Sequence, residues 1–119
     1  KGTVVLWGDG TPQREFLHST DMASACVFLM QHYDTGKAEL INAGSGENIS
    51  ILELSKLLSN ISNFQGSIIW DNSKPNGTPN RPLDNSKIFK MGWQPKIPLQ
   101  QGLQETYKIF EKMQLTKGQ

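Results

Sequence analysis

The chain has 119 residues, 36% of them hydrophobic and 19% charged, with a net charge of +1. That length suits one domain with a modest core, and the low apolar content points to long loops or a face meant for a partner. A near-neutral balance with no run of like charge excludes non-specific nucleic-acid binding through a basic stripe. The single cysteine, Cys26, excludes an intrachain disulfide and a cysteine-rich zinc site and fits a reducing, cytoplasmic setting.

Residues 4–7 form a short apolar run that ends at Trp7 and meets Gly8-Asp9-Gly10. Residues 15–18 follow after Thr11-Pro12, and the two segments are expected to pair as a hairpin or bent strand pair. Ser19-Thr20-Asp21 offers N-cap residues. Met22, Ala25, Cys26, Leu29, Met30 and Tyr33 follow at helical spacing as one apolar stripe, and Gly36 is expected to end that helix. Residues 39–43 read as a strand running into Gly44-Ser45-Gly46. Ser50 and Glu53 predict a capping box, with Leu54, Leu57, Leu58 and Ile61 as the buried face of the next helix. Residues 67–70 read as a strand. A polar loop over 71–83 carries three prolines and is too long for a mere connector. Asp84 or Ser86 caps a short helix ending at Gly92. Leu99, Leu103, Tyr107, Phe110 and Met113 mark a last helix, whose tail from Leu115 is expected to fray. The fold class is therefore α/β, with a few short strands and three to four helices.

Two patterns imitate a dinucleotide enzyme. Gly44-x-Gly46 follows a predicted strand and opens a helix, but Ile49 stands where a third glycine is needed, so a strand-to-helix turn is the better reading. Tyr33 and Lys37 have the spacing of an acid and its pKa-lowering partner, but Gly36 lies between them. Cys26 is expected to be a small buried hydrophobe. His18 and His32 lack the carboxylate spacing of a metal site. No transmembrane run or signal peptide is visible, and a start at Lys1 reads as a fragment of a longer protein.

The loop residues are better candidates. Trp7 sits at a strand end beside glycines, where its ring can serve as an exposed platform. Arg14 offers a planar fork for phosphate oxygens, and Arg81 lies in the long loop. Each also has a plainer role: Trp7 capping the core, Arg14 pairing with Asp9 or Glu15, Arg81 as a solvated charge.

The order of these pieces changes that balance. Arg14-Glu15-Phe16-Leu17-His18 with Asp21-Met22-Ala23, then Ser73-Lys74-Pro75 with Gly77-Thr78-Pro79, then Asp84, Lys87, Gly92-Trp93 and Pro95 carry a family pattern. From residue 4 to about 110 the chain resembles the C-terminal part of the GDP-L-fucose synthase family, extended short-chain dehydrogenases/reductases. The resemblance implies a small substrate-binding domain over residues 1–119. It implies an N-terminal Rossmann domain, outside this chain, that binds NADP and carries the catalytic residues. It implies a GDP-sugar substrate, a homodimeric full-length protein and no activity in this part alone. It implies that Trp7, Arg14, Asn76 and Arg81 would contact the substrate. Asn76 stands where the family usually has aspartate, which weakens the expectation of guanine preference.

Overall fold

The computed structural model describes residues 2–117. Strand β1 (Thr3–Trp7) pairs in parallel with β4 (Ser67–Asp71), with Trp7 opposite Asp71. Strand β2 (Gln13–Glu15) pairs antiparallel with β3 (Asn48–Ser50), with Arg14 opposite Ile49. The expected hairpin does not form. The connector between β1 and β2 has other work: the carbonyls of Gly10 and Pro12 accept from the N–H groups of Leu52 and Ile51. These are orphan donors at the start of helix α2 (Ile51–Ile61), so the turn completes a helix instead of closing a strand pair. Gly10 has φ +78, and a Cβ there would lie 2.6 Å from the Trp70 ring.

Helix α1 (Ser19–His32) begins one position earlier than its cap signals suggest. His18 is the cap, its Nδ1 accepting from Thr20 N at 3.2 Å. The helix also stops at His32, before Gly36. Its inward face keeps only Ala25 and Leu29 of the expected stripe against the core. Asp21 and Ala25 are buried, while Met30 is 86% exposed and Met22 and Val27 lie open. Cys26 is exposed, correcting its reading as a buried hydrophobe. The reason is the packing partner. Helix α3 (Ser86–Met91) and Trp93 meet α1 on the Ala25 side, where Ala25, Ile88 and Trp93 form the buried core and Phe28 and Leu29 pack against it. Trp93 Nε1 donates to Ser24 Oγ at 2.9 Å. Asp21 accepts from Lys96 N and from Ile97 N, fastening the following segment to α1.

The capping box at α2 is present, with Ser50 Oγ accepting from Glu53 N and Glu53 Oε2 accepting from Ser50 N. The helix buries none of its residues fully, and Leu58 is exposed. Residues 39–43 form no strand because no neighbouring strand offers them a ladder among the described residues. Helix α3 ends at Gly92 in the left-handed region, as expected. Helix α4 (Leu99–Lys117) is helical through the tail expected to fray; residues 118 and 119 lie outside the described residues. Three long helices, one short one and short strands match the α/β expectation.

The radius of gyration is 17.8 Å. A compact chain of this length is expected near ~13.5 Å. Val5, Trp7, Ile69, Met30, Phe110 and Met113 all stand open on the surface. The chain is thus extended and thinly cored, as its composition foreshadowed.

Candidate functional site

The loop over residues 72–83 determines the site, because it lies along the β1–β2 connector and is bonded to it at several points. At its start, Asp71 Oδ1 accepts from Ser73 N at 3.0 Å and Ser73 Oγ at 2.6 Å, and Lys74 N donates to Asp71 O. This tight turn brings Lys74 Nζ to 5.7 Å from the centroid of the Trp7 ring. In the middle, Asn76 Oδ1 accepts from Asp9 N at 2.7 Å. Gly8 is required beneath it: with φ +80, a Cβ there would sit 2.0 Å from that oxygen. Further on, Pro79 O accepts from Gln13 N, and Thr78 O accepts from Arg14 Nη1 at 2.8 Å. Arg81 Nη2 reaches Thr78 Oγ1 at 3.3 Å.

One continuous strip therefore links all four candidates: Trp7 through Lys74, Asn76 directly, and Arg14 and Arg81 through Thr78. Trp7 is 69% exposed and does not cap the core. Arg14 pairs with neither Asp9 nor Glu15. Its Nη1 is held by the carbonyls of Gln13 and Thr78, which fixes the guanidinium while its remaining N–H groups have no partner among the described residues. Asp9 instead accepts from Thr11 N and Oγ1. Those two bonds, then Asn76, hold the Asp9 carboxyl below its ordinary value of 3.8. Asn76 spends its oxygen on the turn, so it lacks the free acceptor pair an aspartate would offer a guanine edge.

Glu15 was no candidate, yet it clamps the site from behind. Its Oε1 accepts from Gly46 N at 2.7 Å and from Asn85 Nδ2 at 2.8 Å, and its Oε2 accepts from Leu83 N at 3.3 Å. It thereby ties β2 to the end of the loop that carries Arg81. Its sequence signals were its place directly after Arg14 and within the Arg14–His18 stretch of the family pattern.

The same clamp tests whether Gly44-x-Gly46 fits a dinucleotide. A Cβ on Gly44 would lie 2.1 Å from Glu15 Oε1, and Gly46 N already donates to that carboxylate. A pyrophosphate would meet a negative charge where it needs free N–H groups. The adjoining α2 N-terminus carries the Glu53 carboxylate in its capping box. The residues present do not fit the pyrophosphate of a nicotinamide cofactor. The Tyr33–Lys37 pair fails as well. Tyr33 lies at the helix end with extended backbone, donates to Glu39, and has Lys87 rather than Lys37 over its ring at 5.2 Å. Lys87 also bonds Glu39; that bond, then Tyr33's, lowers the Glu39 carboxyl, and Glu39 in turn raises the Lys87 ammonium.

A cleft of about 470 Å³ beside β3, lined among others by Phe16, Glu47, Asn48 and Lys96, contains none of the four candidates. Trp7, Asn76 and Arg81 are exposed instead, and Arg14 is half-buried. No group of three or more metal-ligating side chains occurs among the described residues. No helix among them is long and apolar enough to cross a membrane.

Comparison with known proteins agrees with the pattern of residues. The NAD dependent epimerase/dehydratase family matches residues 1–44. Over 107 residues the chain is 53% identical to the probable GDP-L-fucose synthase 1 of Oryza sativa subsp. japonica, covering 90% of this chain and 32% of that protein. A Campylobacter jejuni GDP-6-OMe-4-keto-L-xylo-heptose reductase superposes with a TM-score of 0.85 at 34% identity, covering 93% of this chain and 34% of that one. A GDP-L-fucose synthetase of Naegleria fowleri bound to NADP gives 0.82 at 27% identity, covering 92% and 35%. The chain thus spans about a third of the length of the relatives it matches.

Proposed function

We propose that this chain, homologous to the GDP-L-fucose synthases over about a third of their length, is the substrate-binding part of such an enzyme. The observation that carries this reading is the hydrogen-bonded loop that links Arg14 to Arg81 through Thr78 and carries Lys74 over the exposed Trp7 ring, with neither arginine bonded to a carboxylate. An open indole suits a flat base or the apolar face of a sugar, and such stacking contributes on the order of 1 kcal/mol. The free edge of a guanidinium held by two carbonyls suits a diphosphate, since charge-assisted bonds are about twice as strong as neutral ones. The Thr78 contacts order the loop before a ligand arrives, so less entropy is lost on binding.

The whole protein would convert GDP-4-keto-6-deoxy-D-mannose to GDP-L-fucose, as a cytoplasmic homodimer. NADPH, held by an N-terminal Rossmann part, would supply the hydride, and that part would supply the acid–base residues. Residues 1–119 would bind and orient the sugar nucleotide and catalyse nothing alone. The extended shape and the open apolar residues of β1, β4 and α1 support a chain built to pack against that part.

Asn76, its oxygen taken by Asp9 N, offers no free acceptor pair to a guanine edge, so base preference is the feature to test. The test is calorimetric titration of GDP, UDP and dTDP into this chain fused behind the N-terminal part of the rice relative. GDP is expected to bind more tightly than the others. Equal affinities would replace the GDP-sugar reading with a related nucleotide-sugar enzyme, and no binding would replace it with a non-catalytic interaction domain.

A further inference from the structure

Lys87 forms an ion pair with Glu39, and His18 Nε2 lies 3.8 Å from a Glu105 carboxylate oxygen. Lys74, Arg14 and Arg81 belong to neither, and all three lie along the same strip. Asp71 Oδ1 accepts from Ser73 and Asp9 Oδ1 from Thr11, while Glu15, next to Arg14, is engaged by Gly46, Leu83 and Asn85. Lys74 and Arg81 are exposed and Arg14 is half-buried, none of the three bonds a carboxylate, and a multiply charged anion placed among like charges on one loop relieves their mutual repulsion.

Lys74 is placed there by the backbone. Trp7 and Asp71 are partners in the β1–β4 register, and the turn closed by Lys74 N on Asp71 O returns the chain over the indole. Pro75 restricts Lys74 to extended backbone and so limits its wandering. Its ammonium at 5.7 Å from the ring is an exposed cation–π contact, weak enough to yield to a better partner.

We infer that Lys74 is a further anion-binding residue of this site, its ammonium passing from the Trp7 ring to the diphosphate of a bound nucleotide. This rests on the substrate-binding reading above and extends it by a residue that neither composition nor spacing singled out. A group stacked on Trp7 brings its own diphosphate within the sweep of the lysine stem, between the indole and Arg14.

The test is nuclear magnetic resonance titration of the full chain at low salt with GDP, pyrophosphate and guanosine, comparing the wild type with Lys74→Met, Lys74→Arg and Arg14→Ala. Lys74→Met is expected to weaken GDP and pyrophosphate about five- to tenfold, to leave guanosine unchanged and to flatten the salt dependence of GDP binding. Lys74→Arg should retain most of the affinity. If Lys74→Met binds GDP like the wild type while Arg14→Ala does not, Lys74 is no ligand and the site stands. If it weakens guanosine as much as GDP, Lys74 only packs on the indole, and the inference also falls. If Arg14→Ala is also indifferent, or the wild type binds no anion, the substrate-binding reading falls with it.

Discussion

Replacing Glu15 by alanine should cost more stability than a half-exposed acid ordinarily does. The carboxylate accepts three bonds that converge from the Gly44–Gly46 turn, the end of the long loop and Asn85. Asn85 is only 5% exposed, and its Oδ1 already has no partner. Glu15→Ala would leave its Nδ2 unbonded too, a desolvation cost of about 1–3 kcal/mol, with the bonds from Gly46 N and Leu83 N adding roughly 1–2 kcal/mol. The expected total is about 2–5 kcal/mol, a large share of the ~5–15 kcal/mol that stabilises a typical domain. Asn85→Ala should suppress part of it, because a buried donor that no longer exists cannot be left unpaired. A double-mutant cycle read by urea unfolding should therefore show a coupling of about 1–2 kcal/mol. A Glu15→Ala cost below ~1 kcal/mol, or additive single effects, would refute the clamp.

Arg14→Ala should weaken GDP-sugar binding by about 1.5–3 kcal/mol in the fusion with the rice N-terminal part, with little loss of stability since its two bonds are exposed; unchanged binding per folded molecule would make Arg14 structural. Asp21→Ala removes the acceptor for Lys96 N and Ile97 N and should lower stability by about 2–4 kcal/mol in thermal or urea unfolding. Glu53 is held below its ordinary value of 4.5 by Ser50, and Glu39 by Lys87 and Tyr33. Their contributions are complete above pH 4.5 and are lost as pH falls through the depressed values. Lys87 is raised above 10.5, so its share persists below that pH and disappears as pH rises through the shifted value. A stability profile that is flat in both ranges would contradict the Glu39–Lys87 pairing.

What was legible in the sequence was local. The Ser50–Glu53 box, the left-handed Gly92 and the loop over 71–83 each follow from chemistry within a few residues. The β1–β4 pairing spans more than sixty residues, and nothing near Trp7 announces it. The stripe on α1 misled because Met22, Cys26 and Met30 have helical spacing but face away from α3 and Trp93. Residues 39–43 have strand composition but no ladder. Trp7 and Arg14 were singled out by the family resemblance, since each has a plainer role by itself; the structure removes those roles, with Trp7 open and Arg14 bonded to carbonyls. Glu15 and Lys74 were not singled out, since a clamp and a cation–π contact exist only once the loop has folded back.

The central claim is that Trp7 and Arg14 belong to one diphosphate-sugar surface. The most direct measurement follows the indole Nε1–H signals of Trp7, Trp70 and Trp93 and the guanidinium Nε–H of Arg14 while GDP is added. The account predicts that Trp7 and Arg14 shift together along one saturation curve, while Trp93, buried against Ser24, stays still. Saturable GDP binding that leaves both Trp7 and Arg14 unmoved would contradict it.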